Sequence, residues 1–138
     1  MVAKVTGRVR ITLRKMGGLV SPSQSSDPSQ HTNWNMTVSK TLGGSAERIS
    51  AGKSSEVVQE TASSVYHVIS GSGPSEINGE TIEWKQGDTF CIPSWHKYHH
   101  LAKDDETVYL YRFHDKPMLM ALGFYRVAGA DTEKLVSD

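Results

Sequence analysis

The Asn78-Gly79 pair, set between alternating residues 75–77 and 80–84, constrains this chain more than any other feature. Both central residues of a type I′ turn need positive φ, which Asn and Gly supply at little cost, so a two-residue β-hairpin is expected here. Turn signals recur at short intervals on either side. Gly71-Ser72-Gly73-Pro74 interrupts the run 64–70, while Gln86-Gly87-Asp88 and Pro93-Ser94 bracket residues 89–92. Short strands separated this regularly predict an all-β sandwich or small barrel.

The rest of the chain fits that pattern. Residues 9–14 alternate apolar and polar side chains and read as a half-buried edge strand. Residues 15–33, rich in Gly, Ser and Pro, read as a long loop or lid anchored at Trp34, followed by candidate strands at 34–40 and 45–50. Run 64–69 is apolar on both faces: Ser64, Tyr66 and Val68 share one, and Val65, His67 and Ile69 share the other. A strand of that kind is covered on both sides, so a homodimer that buries Val65 and Ile69 is expected, with His67 as a packed structural residue. Residues 106–114 read as a closing strand with an aromatic face (Tyr109, Tyr111, Phe113), residues 118–122 as a helical turn or a segment laid across the barrel, and residues 130–138 as a polar tail.

Composition excludes several function classes. Fifteen basic and fifteen acidic residues give a formal net charge of zero with no basic run, which argues against a nucleic-acid partner. No stretch approaches the roughly 20 apolar residues of a membrane span, and the N-terminus lacks the apolar core of a signal peptide. Cys91 is the single cysteine, so no internal disulfide forms within one chain and a cytoplasmic protein is expected. With 138 residues and no shift in composition, residues 1–138 are expected to form one domain. Gly-rich phosphate loops, nucleophile elbows and Cys-x-x-Cys pairs are absent from the sequence.

The segment running into Gly71, together with Gly87-x5-Pro93-x4-Tyr98, resembles the two sequence motifs of the cupin superfamily. Thr61-Ala62-Ser63-Ser64-Val65-Tyr66, the run Ile92-Pro93-Ser94-Trp95, Asp115-Lys116-Pro117 and Ala121-Leu122-Gly123-Phe124-Tyr125-Arg126 are similar, more narrowly, to a cupin domain of gentisate 1,2-dioxygenases. The resemblance implies a double-stranded β-helix (jelly-roll) barrel. It also implies a divalent metal held by His-x-His and Glu from the first motif and His from the second. Counting from Gly71 and Pro93 places those ligands at Val58, Glu60, Ser64 and Tyr98, and a one-residue slide gives Val57 and Gln59 instead. Every ligand position is changed, so no metal and no other cofactor is expected and the family's reaction does not carry over.

A barrel built this way is expected to enclose an apolar cup containing Val58, Glu60, Ser64, Tyr66, Tyr98 and His100, with Trp95 and His96 as further substrate contacts. Glu60 would act as a base, His100 as its partner or the acid, and Tyr98 as a donor to a developing oxyanion. The expected function is metal-independent proton transfer on an aromatic or polyketide-like small molecule by an isomerase, dehydratase, decarboxylase or cyclase. Three alternatives stand beside it: a non-catalytic ligand-binding cupin; a dioxygenase-like enzyme with metal on a rearranged set such as Glu60, His100 and another His; and a structural barrel whose outer face matters more than its cavity.

Overall fold

The structure is a computed structural model that describes residues 4–6, 21–23 and 30–129. The expected strand at 9–14 and the tail at 130–138 lie outside the described residues, as do 15–20 and 24–29 of the expected loop. The rest of that loop is corrected, because residues 21–23 and 31–33 are in strands.

Ten strands and one short helix are described. In chain order they are β1 (Lys4–Thr6), β2 (Ser21–Ser23), β3 (His31–Thr37), β4 (Gly43–Ile49), β5 (Ser64–Ser70), β6 (Ser72–Ile77), β7 (Glu80–Lys85), β8 (Asp88–Ile92), β9 (Tyr98–His100), β10 (Val108–His114) and α1 (Lys116–Ala121). They pair antiparallel into a seven-stranded sheet, β1-β8-β5-β10-β4-β3-β2, and a three-stranded sheet, β7-β6-β9. This is the all-β cupin barrel that the motifs implied.

Local chemistry explains the joints. Asn78 and Gly79 have φ of 50° and 86°, as the hairpin between β6 and β7 requires. At Gly73 on β6 a Cβ would come within 2.1 Å of the Leu101 carbonyl oxygen, so only glycine lets these backbones approach. Between the sheets, Ile49, Tyr66, Val68, Ile77, Trp84, Phe90 and Leu110 form the buried core.

Register decides what faces inward. On β10, Val108, Leu110, Arg112 and His114 lie opposite Ile49, Glu47, Ser45 and Gly43 of β4. Across the other edge, Leu110, Arg112 and His114 lie opposite Val68, Tyr66 and Ser64 of β5. The inner face therefore runs from apolar at Ile49 and Val108 to polar at Arg112 and His114. The aromatic face of this strand points outward: Tyr109 and Phe113 are exposed, and Tyr111 is covered on that side, where its hydroxyl donates to Met36 Sδ at 3.2 Å. Val65 is exposed on the same outer face, while His67 is buried there with Nδ1 2.9 Å from Thr89 Oγ1.

Candidate functional site

Glu60 lies in the segment that leads into β5. An isolated bridge to Val127 and the Trp95 N–H, which donates to the Glu60 carbonyl at 2.7 Å, pin its backbone. Its carboxylate is buried and both oxygens are engaged: Oε1 in an ion pair with Arg112 Nη2, and Oε2 as acceptor from the Tyr125 hydroxyl at 2.6 Å. Arg112 also donates through Nε to Ser64 Oγ at 2.8 Å. Glu60 and Ser64 are thus brought together by an arginine from the closing strand. Burial alone would lower the Arg112 pKa, but Tyr98 and Tyr66, and then Glu60 and Glu47, raise it. The guanidinium is permanently charged.

A second group of expected site residues packs around His100. Tyr66, Tyr98 and His100 pack ring against ring, with centroids 4.5 Å apart for Tyr66 and His100 and 5.3 Å for Tyr98 and His100. The two tyrosine hydroxyls are 3.2 Å apart. Burial raises Tyr66 and pushes Tyr98 up to about 12, so both are neutral donors near pH 7. His100 is 0% exposed; its Nδ1 is 2.6 Å from Ser75 Oγ, which also accepts from Trp84 Nε1 at 2.7 Å. Burial lowers His100 to about 4 and keeps the imidazole neutral.

Each member of the expected proton-transfer pair thus has other partners. His100 is anchored to the hairpin by Ser75, whereas Glu60 is held by Arg112 and Tyr125. Tyr66, Tyr98 and His100, at 0–3% exposure, are packed in the interior where the cup was expected. Val58 aligns Tyr98 through paired backbone hydrogen bonds of 2.9 and 2.8 Å. Trp95 is exposed, with φ of 65° stabilised by its own N–H bond to Glu60 and by Gln59 Nε2 donating to its carbonyl at 2.9 Å. His96 contacts the Ser94 carbonyl at 3.2 Å through Nδ1.

The sequence reading missed Arg112, Tyr125, His114 and Glu47 as interior polar groups. Glu47 is buried, with Oε1 2.9 Å from His31 Nε2. Burial pushes its carboxyl up, but the His31 hydrogen bond, with His100, His31 and Arg112 beyond it, outweighs that and brings it to about 2. The strict alternation Gly43, Ser45, Glu47, Ile49 was the available signal for its inward position.

An open cleft of about 370 Å³ lies at the polar end of the inner face. Asn35, Gly43, Arg112, His114, Lys116 and Met120 are among its lining residues. A Cβ at Gly43 would sit 2.4 Å from His114 Cε1, so the glycine makes room for that ring. Burial, helped by the Arg112 charge, lowers His114 to about 4, and its Nδ1 is buried without a hydrogen-bond partner. Lys116 Nζ stands 4.8 Å from the Tyr125 ring centroid. Asp115 is turned aside, accepting the Ser63 N–H at 2.8 Å.

A divalent metal does not fit these residues. The four implied ligand positions offer one carboxylate, a serine, a phenol and an aliphatic side chain, and the Arg112 cation bonds to two of them. Among the described residues, no group of three or more His, Cys, Asp or Glu is placed to hold a metal ion, which includes the rearranged set with Glu60 and His100. No helix among the described residues is long and apolar enough to cross a membrane.

No family model matches the chain. Over 66 residues it is 42% identical to a 5-aminosalicylate 1,2-dioxygenase of Comamonas sp., covering 48% of this chain and 17% of that protein. Over 71 residues it is 34% identical to gentisate 1,2-dioxygenase 1 of Aquipseudomonas alcaligenes, covering 51% of this chain and 20% of the relative. Among solved structures, salicylate 1,2-dioxygenase from Pseudoaminobacter salicylatoxidans, described as adducts with gentisate, superposes with a TM-score of 0.69 at 30% identity, covering 78% of this chain and 31% of that one. The chain therefore spans about a fifth of the curated relatives and under a third of the solved chain.

Proposed function

We propose, from the premise that this chain is a cupin domain related to the gentisate 1,2-dioxygenases, that it binds a small aromatic carboxylic acid at the mouth of its barrel without a metal. The observation that carries the reading is the cleft itself, where Arg112 and Lys116 stand beside the apolar surface of Pro117 and Met120. Arg112 spends Nε on Ser64 and Nη2 on Glu60, which leaves Nη1 for a ligand carboxylate. Lys116 supplies a further charge, and the His114 ring lines the same cleft. The relatives support the choice of ligand, since salicylate and gentisate join a carboxylate to a flat apolar ring.

The geometry favours binding over the acid–base enzyme. Both Glu60 carboxylate oxygens are already engaged, by Arg112 and Tyr125, and its expected partner His100 is closed off in the core. One observation supports catalysis as a second reading: the 2.6 Å Tyr125–Glu60 bond, which offers a phenol as proton partner in place of His100.

Calorimetric titration separates the two. Salicylate should bind the parent, Lys116→Glu should weaken it by about tenfold or more, and uncharged salicylamide should bind similarly weakly. Equal affinity for salicylate and salicylamide contradicts the carboxylate anchor. If a turned-over aromatic acid is found, Glu60→Gln should leave binding intact and slow turnover by roughly 10²–10⁴-fold. Undiminished turnover in that variant removes the catalytic reading.

A further inference from the structure

We infer that Glu60, Ser64 and Tyr125 form a cation site built to hold a guanidinium, and that Arg112 supplies this ion covalently where a metal-binding barrel would hold a free one. The inference concerns the integrity of the barrel and does not depend on which ligand enters the mouth.

Three features carry it. First, the guanidinium is held in directional contacts on two of its nitrogens: Nε donates to Ser64 Oγ at 2.8 Å and Nη2 pairs with Glu60 Oε1. A planar fork meets two acceptors at fixed angles, which the compact ammonium of lysine does not reproduce. Second, the acceptors are themselves fixed. Tyr125 donates to the other Glu60 oxygen at 2.6 Å, and the backbone around Glu60 is tied by the bridge to Val127, the Trp95 N–H at 2.7 Å and the Thr61 N–H, which donates to Arg126 at 2.9 Å. Third, the parts come from distant places in the chain. Ser64 opens β5, Arg112 lies on β10, Glu60 precedes β5 and Tyr125 follows α1, so the cation ties β10 to the segment 60–64 and Tyr125 joins them through Glu60.

An incidental buried ion pair makes a different claim. Replacing such a pair with apolar groups is often neutral, and the space left by one partner has no reason to prefer a particular cation. A built guanidinium site should be emptied by truncation and refilled from solution.

The test is thermal unfolding of Arg112→Ala with added cations, alongside the parent. The truncation should lower Tm by roughly 10 °C or more, because Glu60 is left buried and unpaired. Millimolar methylguanidinium should restore part of that loss, methylammonium at the same concentration should restore much less, and neither should raise the Tm of the parent. The double variant Glu60→Gln/Arg112→Ala should lose the methylguanidinium response. If Arg112→Ala is recovered only as insoluble protein, its refolding yield with and without methylguanidinium gives the same reading, and no gain counts against the site. The parent, after dialysis, should carry far less than one equivalent of iron, manganese, nickel or zinc. Unchanged stability in Arg112→Ala, an equal response to both cations, or stoichiometric metal in the parent overturns the inference. Salicylate titration of the parent is a separate measurement, so failure here leaves the binding proposal to its own test.

Discussion

Lowering the pH from 7 to 4 is expected to remove roughly 3 kcal/mol of stability through His100 alone. The folded protein holds this imidazole neutral with a pKa of about 4, while in the unfolded chain it titrates at its ordinary 6.5. Between those values the unfolded state binds the extra proton. The contribution is therefore complete above pH 6.5 and is lost as the pH falls to about 4. His114, lowered to about 4 and only partly buried, adds to the same limb. Glu47 acts further down: its depressed pKa contributes stability above the ordinary 4.5, and this is lost as the pH falls toward 2. Urea midpoints measured across this range should fall with acid in the parent, and the slope between pH 6.5 and 4 should flatten in His100→Asn. An identical slope in the variant would show that a different group drives the transition.

Glu60→Ala is expected to cost about 3–5 kcal/mol, the usual consequence of leaving a buried charge unpaired. The variant strands the Arg112 guanidinium, removes the acceptor of the Tyr125 hydroxyl and leaves Ser64 as the remaining side-chain partner of Arg112 among the described residues. Glu60→Gln should cost less, since an amide oxygen still accepts from one donor. Urea unfolding of the two variants against the parent gives both values. A loss below about 1 kcal/mol in Glu60→Ala would mean that water, not Glu60, satisfies Arg112.

Strand existence was legible wherever turn chemistry and alternation agreed. Asn78-Gly79 fixed its hairpin because few other residues tolerate two consecutive positive φ values, and residues 64–70 were read with both observed ends. Around the second motif, β9 covers only Tyr98–His100, and Trp95 takes a positive φ of 65° shortly before it. The site was less legible, for a physical reason. Parity says which residues share a face but not which face a closing strand turns inward. On β10 the aromatic set Tyr109, Tyr111 and Phe113 was noted as a face, yet the face that looks inward carries Arg112 and His114. An arginine in mid-strand reads as solvated until its partner is known, and Glu60 and Arg112 lie 52 positions apart. His100 reads as a reactive group near a strand end. Only the fold reveals Ser75 and Trp84 behind it, which turn a candidate acid into a buried, neutral core residue.

The central claim is that the barrel mouth, closed to metal by Arg112, receives the carboxylate of an aromatic acid. A crystal structure of the protein soaked with salicylate tests it most directly. Ligand density is expected in the cleft between β3, β10 and α1, with the carboxylate within hydrogen-bond distance of Arg112 and the ring against Pro117 or Met120. Density elsewhere, a ring seated with its carboxylate turned away from Arg112, or a metal ion between Glu60 and Tyr98 would contradict it.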